Sequence, residues 1–139
     1  MATNIVRIGG GVDPFLRCIV KVQVRGADDG PTAGIQAVID TGASQSCIRD
    51  DVAEQLRLRH ADGRRRAATA NGFGDFPVAP ISVAVEIPGE DPLFLADVHA
   101  IVAPCDPPML FGMDLLDGGV LVVDRVRQTW KWAIREASR

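Results

Sequence analysis

The 139-residue chain has no tyrosine, two histidines and three cysteines. His60 and His99 are too few and too scattered for a metal site, so neither a metal nor a cofactor is expected. No Ser/His/Asp or Cys/His arrangement is suggested by local spacing. Cys18, Cys47 and Cys105 are odd in number and share no metal-ligand spacing; they read as buried, reduced thiols of a cytoplasmic protein. No stretch approaches the roughly 20 apolar residues of a membrane span. Met1 to Gly11 lacks the continuous apolar run of a signal peptide, so no membrane partner is expected. A net charge of −3 does not suit a nucleic-acid binder. What is present is a globular composition, 47% hydrophobic and 24% charged, in a chain long enough for one domain with its own core.

The dominant pattern is alternation. Cys18, Val20, Val22 and Val24 alternate with Lys21, Gln23 and Arg25; Ile81, Val83, Val85 and Ile87 alternate with Ser82, Ala84 and Glu86; Phe94 to Val102 continues the theme. Turn compositions separate these runs: "GADDGP", Gly26 to Pro31, and "PGEDP", Pro88 to Pro92. The spacing predicts an all-β domain of antiparallel hairpins with one or two short helices. "RDDVAEQLRL", Arg49 to Leu58, places Val52, Ala53 and Leu56 on one helical face, with Asp50 and Asp51 early and Arg57 late, as the helix dipole favours. A second short helix is expected over Met113 to Asp117, stopped by Gly118 and Gly119, and Val120 to Val123 reads as a buried strand. Residues 1–14 are expected to form a flexible or dimerising arm, and 15–139 a single domain.

The chemistry centres on "AVIDTGASQSCI", Ala37 to Ile48. An apolar strand that ends in Asp-Thr-Gly delivers the Asp40 carboxylate to the edge of a core. Gly42 allows a turn and a close approach of backbone N–H groups, and the Thr41 hydroxyl can fix that turn. On its own the tripeptide also suits an ordinary Asx-turn. Downstream, "PPMLFGMDLLDGGVLVVD", Pro107 to Asp124, reads as a buried strand, Met109 to Phe111, then Gly112 and a short helix. The combination of "VIDTGAS" with "LFGMDLL" resembles the retropepsin-like aspartic proteases, and the match covers roughly Cys18 to Trp132.

That resemblance implies a retropepsin-like closed β-barrel or sandwich with a flap hairpin. It makes Asp40 the catalytic acid, Thr41 the source of cross-subunit hydrogen bonds, Gly42 a loop-shaping residue and Ala43 a substrate contact of the retroviral rather than the pepsin type. Leu110, Phe111 and Gly112 would pack beneath the catalytic loop. Thr69 to Pro77 lies where a flap belongs, with Asn71, Gly72, Phe73 and Gly74 at its tip. "RRR", Arg64 to Arg66, reads as a solvated strand edge, and Cys47 as core packing. Trp130 and Trp132 suit either the core or a dimer-forming strand.

Peptide hydrolysis without a metal needs a base for water and an acid for the carbonyl oxygen. Two close carboxylates sharing one proton provide both, as in aspartic proteases generally. This chain has a single D-T-G; Asp117 in "LLDGGV" follows a helix rather than closing a strand. The expected second acid is therefore Asp40 of another copy, in a homodimer acting on polypeptide. The alternative is a catalytically silent dimerisation or peptide-binding module on the same fold.

Overall fold

A computed structural model describes residues 4–26, 30–69 and 72–135. In chain order the elements are β1 (Ile5–Gly10), β2 (Ile19–Gly26), β3 (Thr32–Ile39), β4 (Cys47–Arg49), α1 (Asp50–Gln55), β5 (Ala61–Thr69), β6 (Gly72–Val85), β7 (Leu93–Ala103), β8 (Met109–Phe111), α2 (Met113–Leu116), β9 (Gly119–Asp124) and β10 (Thr129–Arg135).

Seven strands form one sheet in the order β2-β3-β8-β4-β7-β6-β5, and a further pairing of β2 with β6 closes it into a barrel, leaving β5 outside the ring. Closure follows from alternation. Val20, Val22 and Val24 of β2 and Ile81, Val83 and Val85 of β6 all point inward and are buried, and burying both rows requires the sheet to fold back on itself. The β6–β7 hairpin turns at Ile87 to Glu90, where the Glu90 N–H donates to the Ile87 carbonyl at 3.0 Å. Pro88 suits the second position, and Gly89 takes φ +76°, which other residues resist. The Gly26–Pro31 turn joins β2 to an antiparallel β3 as expected, with residues 27–29 outside the described set.

β6 is longer than the alternation suggests, because it runs through Pro77 and Pro80. Pro77 pairs only with Arg64 of β5, and Pro80 only with His99 of β7. A strand tolerates proline where one side has no ladder to complete. Helix α1 ends sooner than its apolar face implied, at Gln55, and Arg57 lies beyond it at φ +52°. The Leu58 N–H reaches back to the Ala53 carbonyl at 3.1 Å, so Arg57 occupies the left-handed residue of a C-terminal cap and not the last turn.

The second sheet is β1-β10-β9. The segment read as an arm thus runs as β1, paired along its length with β10. Trp130 and Trp132 are core: the Trp132 ring meets Phe111 edge-on with centroids 5.6 Å apart, and Trp130 Nε1 donates to the Ile19 carbonyl at 2.8 Å. The expected burial of Val120 to Val123 does not occur. Val120, Val122 and Val123 are exposed in this chain, since β9 is the sheet's edge. An apolar run says only that a strand avoids water, not which chain covers it.

Candidate active site

Asp40 sits immediately after β3, where β3 runs parallel to β8 with Val38 opposite Leu110 and Ile39 opposite Phe111. Its N–H donates to the Phe111 carbonyl at 3.0 Å, which anchors the residue to β8. Its carboxylate accepts the Gly42 N–H at 2.9 Å through Oδ1, and its carbonyl accepts the Ala43 N–H at 3.2 Å. The Asx-turn is therefore real, and it orients a half-buried carboxylate. Gly42 serves close approach and not a left-handed turn: its φ is ordinary, and a Cβ there would lie 3.2 Å from Asp40 Oδ1. The Thr41 side chain is exposed, and its hydroxyl has no partner among the described residues. It does not fix the turn within this chain.

Gly112 locks the loop from below. A Cβ at this position would lie 2.8 Å from the Gln45 carbonyl carbon and 2.9 Å from the Ala43 oxygen, so the contact is between backbones. The Met113 N–H donates to the Ala43 carbonyl at 2.8 Å. Two residues with no expected role complete the lock. Ser46, fully buried, donates its hydroxyl to Asp114 Oδ1 at 2.6 Å and its N–H to Asp114 Oδ2 at 3.0 Å. The Ser46 oxygen in turn accepts the Gly112 N–H at 2.9 Å. The available signal was a lone hydroxyl and a lone acid, each beside an apolar segment. Asp114→Ala leaves two buried Ser46 donors without an acceptor and should cost about 2–3 kcal/mol, read as a lower denaturant midpoint. Asp114→Asn should lose less, since its amide oxygen still accepts one of the two bonds.

Asp40 opens on a groove of about 560 Å³ that is also lined by Gly42, Ala43 and Leu110, and by Ser44 and Gln45, which had no assigned role. The Gln45 amide is tied to β7 through the His99 carbonyl at 2.9 Å. The segment expected to be a flap is the β5–β6 hairpin, closed by the pairing of Thr69 with Gly72. Asn71 lies outside the described residues. It is the β5 arm, at Arg66 and Ala67, that reaches the groove; Gly72, Phe73 and Gly74 do not line it. Arg66 is more than a solvated edge residue, because its guanidinium also stacks 5.4 Å from the exposed Phe73 ring. Gly72 takes φ +104°, whereas Gly74 does not depart from ordinary φ. Asp106 is the second carboxylate of the groove, ion-paired to Arg17 at 2.9 Å. Asp117 is not part of it. No group of three or more potential metal ligands occurs among the described residues.

Residues 29–118, well over half the chain, match the family described as gag-polyprotein putative aspartyl protease. The chain belongs to this aspartyl protease family. The retropepsin-like fold is shared with the crystal structure of a retropepsin-like aspartic protease from Rickettsia conorii, at 18% identity and a TM-score of 0.58, over 99% of this chain and 98% of that one. No curated protein sequence matches the chain. Both motifs of this aspartyl protease family member, the D-T-G and the later L-F-G, fall inside the matched residues, and the backbones of the Asp40 loop and the Gly112 turn are in direct contact. No helix among the described residues is long and apolar enough to cross a membrane.

Proposed function

We propose that the protein is a homodimeric aspartic endopeptidase in which the Asp40 carboxylates of two copies form one site. The observation that carries this reading is the Asp40 loop itself. One carboxylate oxygen is fixed by the Gly42 N–H, the backbone is bolted to β8, and the group opens on a groove. A solvated surface acid needs none of that support. Two such groups facing each other share one proton. The ionised member takes a proton from water as the oxygen attacks the scissile carbonyl carbon, and the protonated member donates to the carbonyl oxygen.

Two features of this chain support a second copy. The exposed Thr41 hydroxyl lies beside Asp40 with no partner among the described residues. The valines of edge strand β9 are uncovered: Val120 is 66% and Val122 56% exposed. Edge strands with large apolar side chains invite pairing with another chain. Specific activity on an unfolded protein substrate should therefore fall on dilution through the dimer dissociation constant, in parallel with the dimer fraction by sedimentation. Full activity in a monomer would reject the two-copy site.

The β5–β6 hairpin is read as a flap whose Gly72, Phe73 and Gly74 approach the substrate on closure. A Cβ added at Gly72 would meet open space, but the backbone there has φ +104°. Gly72→Val thus meets backbone strain of about 1–3 kcal/mol without a clash. Cleavage should slow more than the denaturant midpoint falls. Unchanged kinetics in the folded variant would make the hairpin a bystander.

A further inference from the structure

We infer that Cys47 and Cys105 form an oxidation-sensitive thiol pair in the wall of the Asp40 groove, closing to a disulfide when a peroxide reaches Cys105. They lie 58 residues apart in sequence, yet their sulfurs are 3.5 Å apart, with the Cys47 thiol donating to Cys105 Sγ. Both line the groove that holds Asp40. Cys47 is buried at the start of β4, and Cys105 is half-exposed in the segment between β7 and β8. Both of those strands pair with β4. The segment is further held to β4 by Arg49, whose N–H donates to the Pro108 carbonyl and whose guanidinium donates to the Asp106 carbonyl at 2.9 Å. The pair is thus fixed by framework on both sides rather than by chance contact of loops.

The two thiols have different roles. The hydrogen bond received from Cys47 lowers Cys105 below the usual thiol range against the opposing effect of burial, and Arg49 adds to the lowering. The same bond and burial push Cys47 far up. An accessible low-pKa thiol beside a resolving thiol is the arrangement of redox-sensing cysteines. The Cys105 thiolate attacks one peroxide oxygen; the O–O bond breaks, a sulfenic acid forms and hydroxide leaves, taking up a proton to become water. Cys47 sulfur then attacks the sulfenic sulfur. The S–S bond forms, the S–O bond breaks, and the Cys47 proton leaves with the hydroxyl as a second water. In sum two thiols are oxidised by two electrons and one peroxide is reduced to two waters.

A disulfide spans about 2.05 Å, so the sulfurs must close by about 1.5 Å. That draws the Pro104–Pro107 wall toward β4, one residue from the Ser46 anchor of the Asp40 loop. A displacement of this order should lower peptide turnover on the order of tenfold. This consequence rests on the proposed protease activity; the cross-link itself does not. The test is hydrogen peroxide added to the full chain, followed by non-reducing peptide mapping and a peptidase assay before and after dithiothreitol. The expected result is a Cys47–Cys105 cross-link with the mass loss of two hydrogens, Cys18 still reduced, and activity lost and then restored. Cys47→Ala should leave Cys105 as an uncapped sulfenic acid that dimedone traps, and Cys105→Ala should abolish the response. If either variant fails to fold, mapping of the wild type decides. Peroxide that leaves both thiols free, or links either to Cys18, overturns the pair. A cross-link without loss of turnover overturns the effect on the groove, and a wild type inactive even when reduced rejects the protease reading while the mapped cross-link still stands or falls alone.

Discussion

Asp40→Asn is expected to lower peptide hydrolysis by roughly 10²–10⁴-fold, the range lost when a general acid–base group is removed. The fold should not change. Asparagine keeps the shape and still offers Oδ1 to the Gly42 N–H, and the anchor from the Asp40 N–H to the Phe111 carbonyl is backbone. What the amide cannot do is hold or pass the shared proton. Circular dichroism and the unfolding midpoint should match wild type while cleavage disappears. Wild type mixed with excess variant should also lose activity, because mixed dimers carry one carboxylate. Asp106→Asn is the control: Asp106 shares the groove but is ion-paired to Arg17, and its loss should be minor by comparison. Near-wild-type cleavage by the Asp40 variant, or abolition by the Asp106 variant, would move the chemistry away from the proposed pair.

Gly112→Ala should be strongly destabilising, at about 3 kcal/mol, the upper part of the usual overpacking range. The added Cβ meets the Gln45 carbonyl carbon at 2.8 Å and the Ala43 oxygen at 2.9 Å. Both are backbone atoms of the Asp40 loop, so no side chain can swing away. Relief requires the loop to lift. Lifting stretches the bonds from Met113 to Ala43 and from Gly112 to Ser46. The melting temperature should drop by about 10 °C for a domain of this size, and activity should fall further than stability explains. A variant with wild-type midpoint and wild-type cleavage would show that the loop and the Gly112 turn are not in contact.

Much of this was legible in the chain. Period-two alternation in β2, β6 and β7 announces the barrel walls, because a half-buried strand must alternate. Pro88 and Gly89 mark their turn because only certain residues adopt its angles. The D-T-G after an apolar strand and the later L-F-G mark the two segments whose backbones touch. Local periodicity, however, carries no information about distant partners. It could not reveal that Ser46 and Asp114 bond across 68 residues, or that Cys47 and Cys105 touch across 58. Nor could it show that the continuous apolar run of β9 stays exposed while the tryptophans that alternate with Lys131 in β10 are buried; the position of each strand within its sheet decided that. Gly42 and Gly72 show the same division. Sequence makes both glycine, but only the backbone angles and neighbouring atoms show that Gly42 is needed for space and Gly72 for conformation.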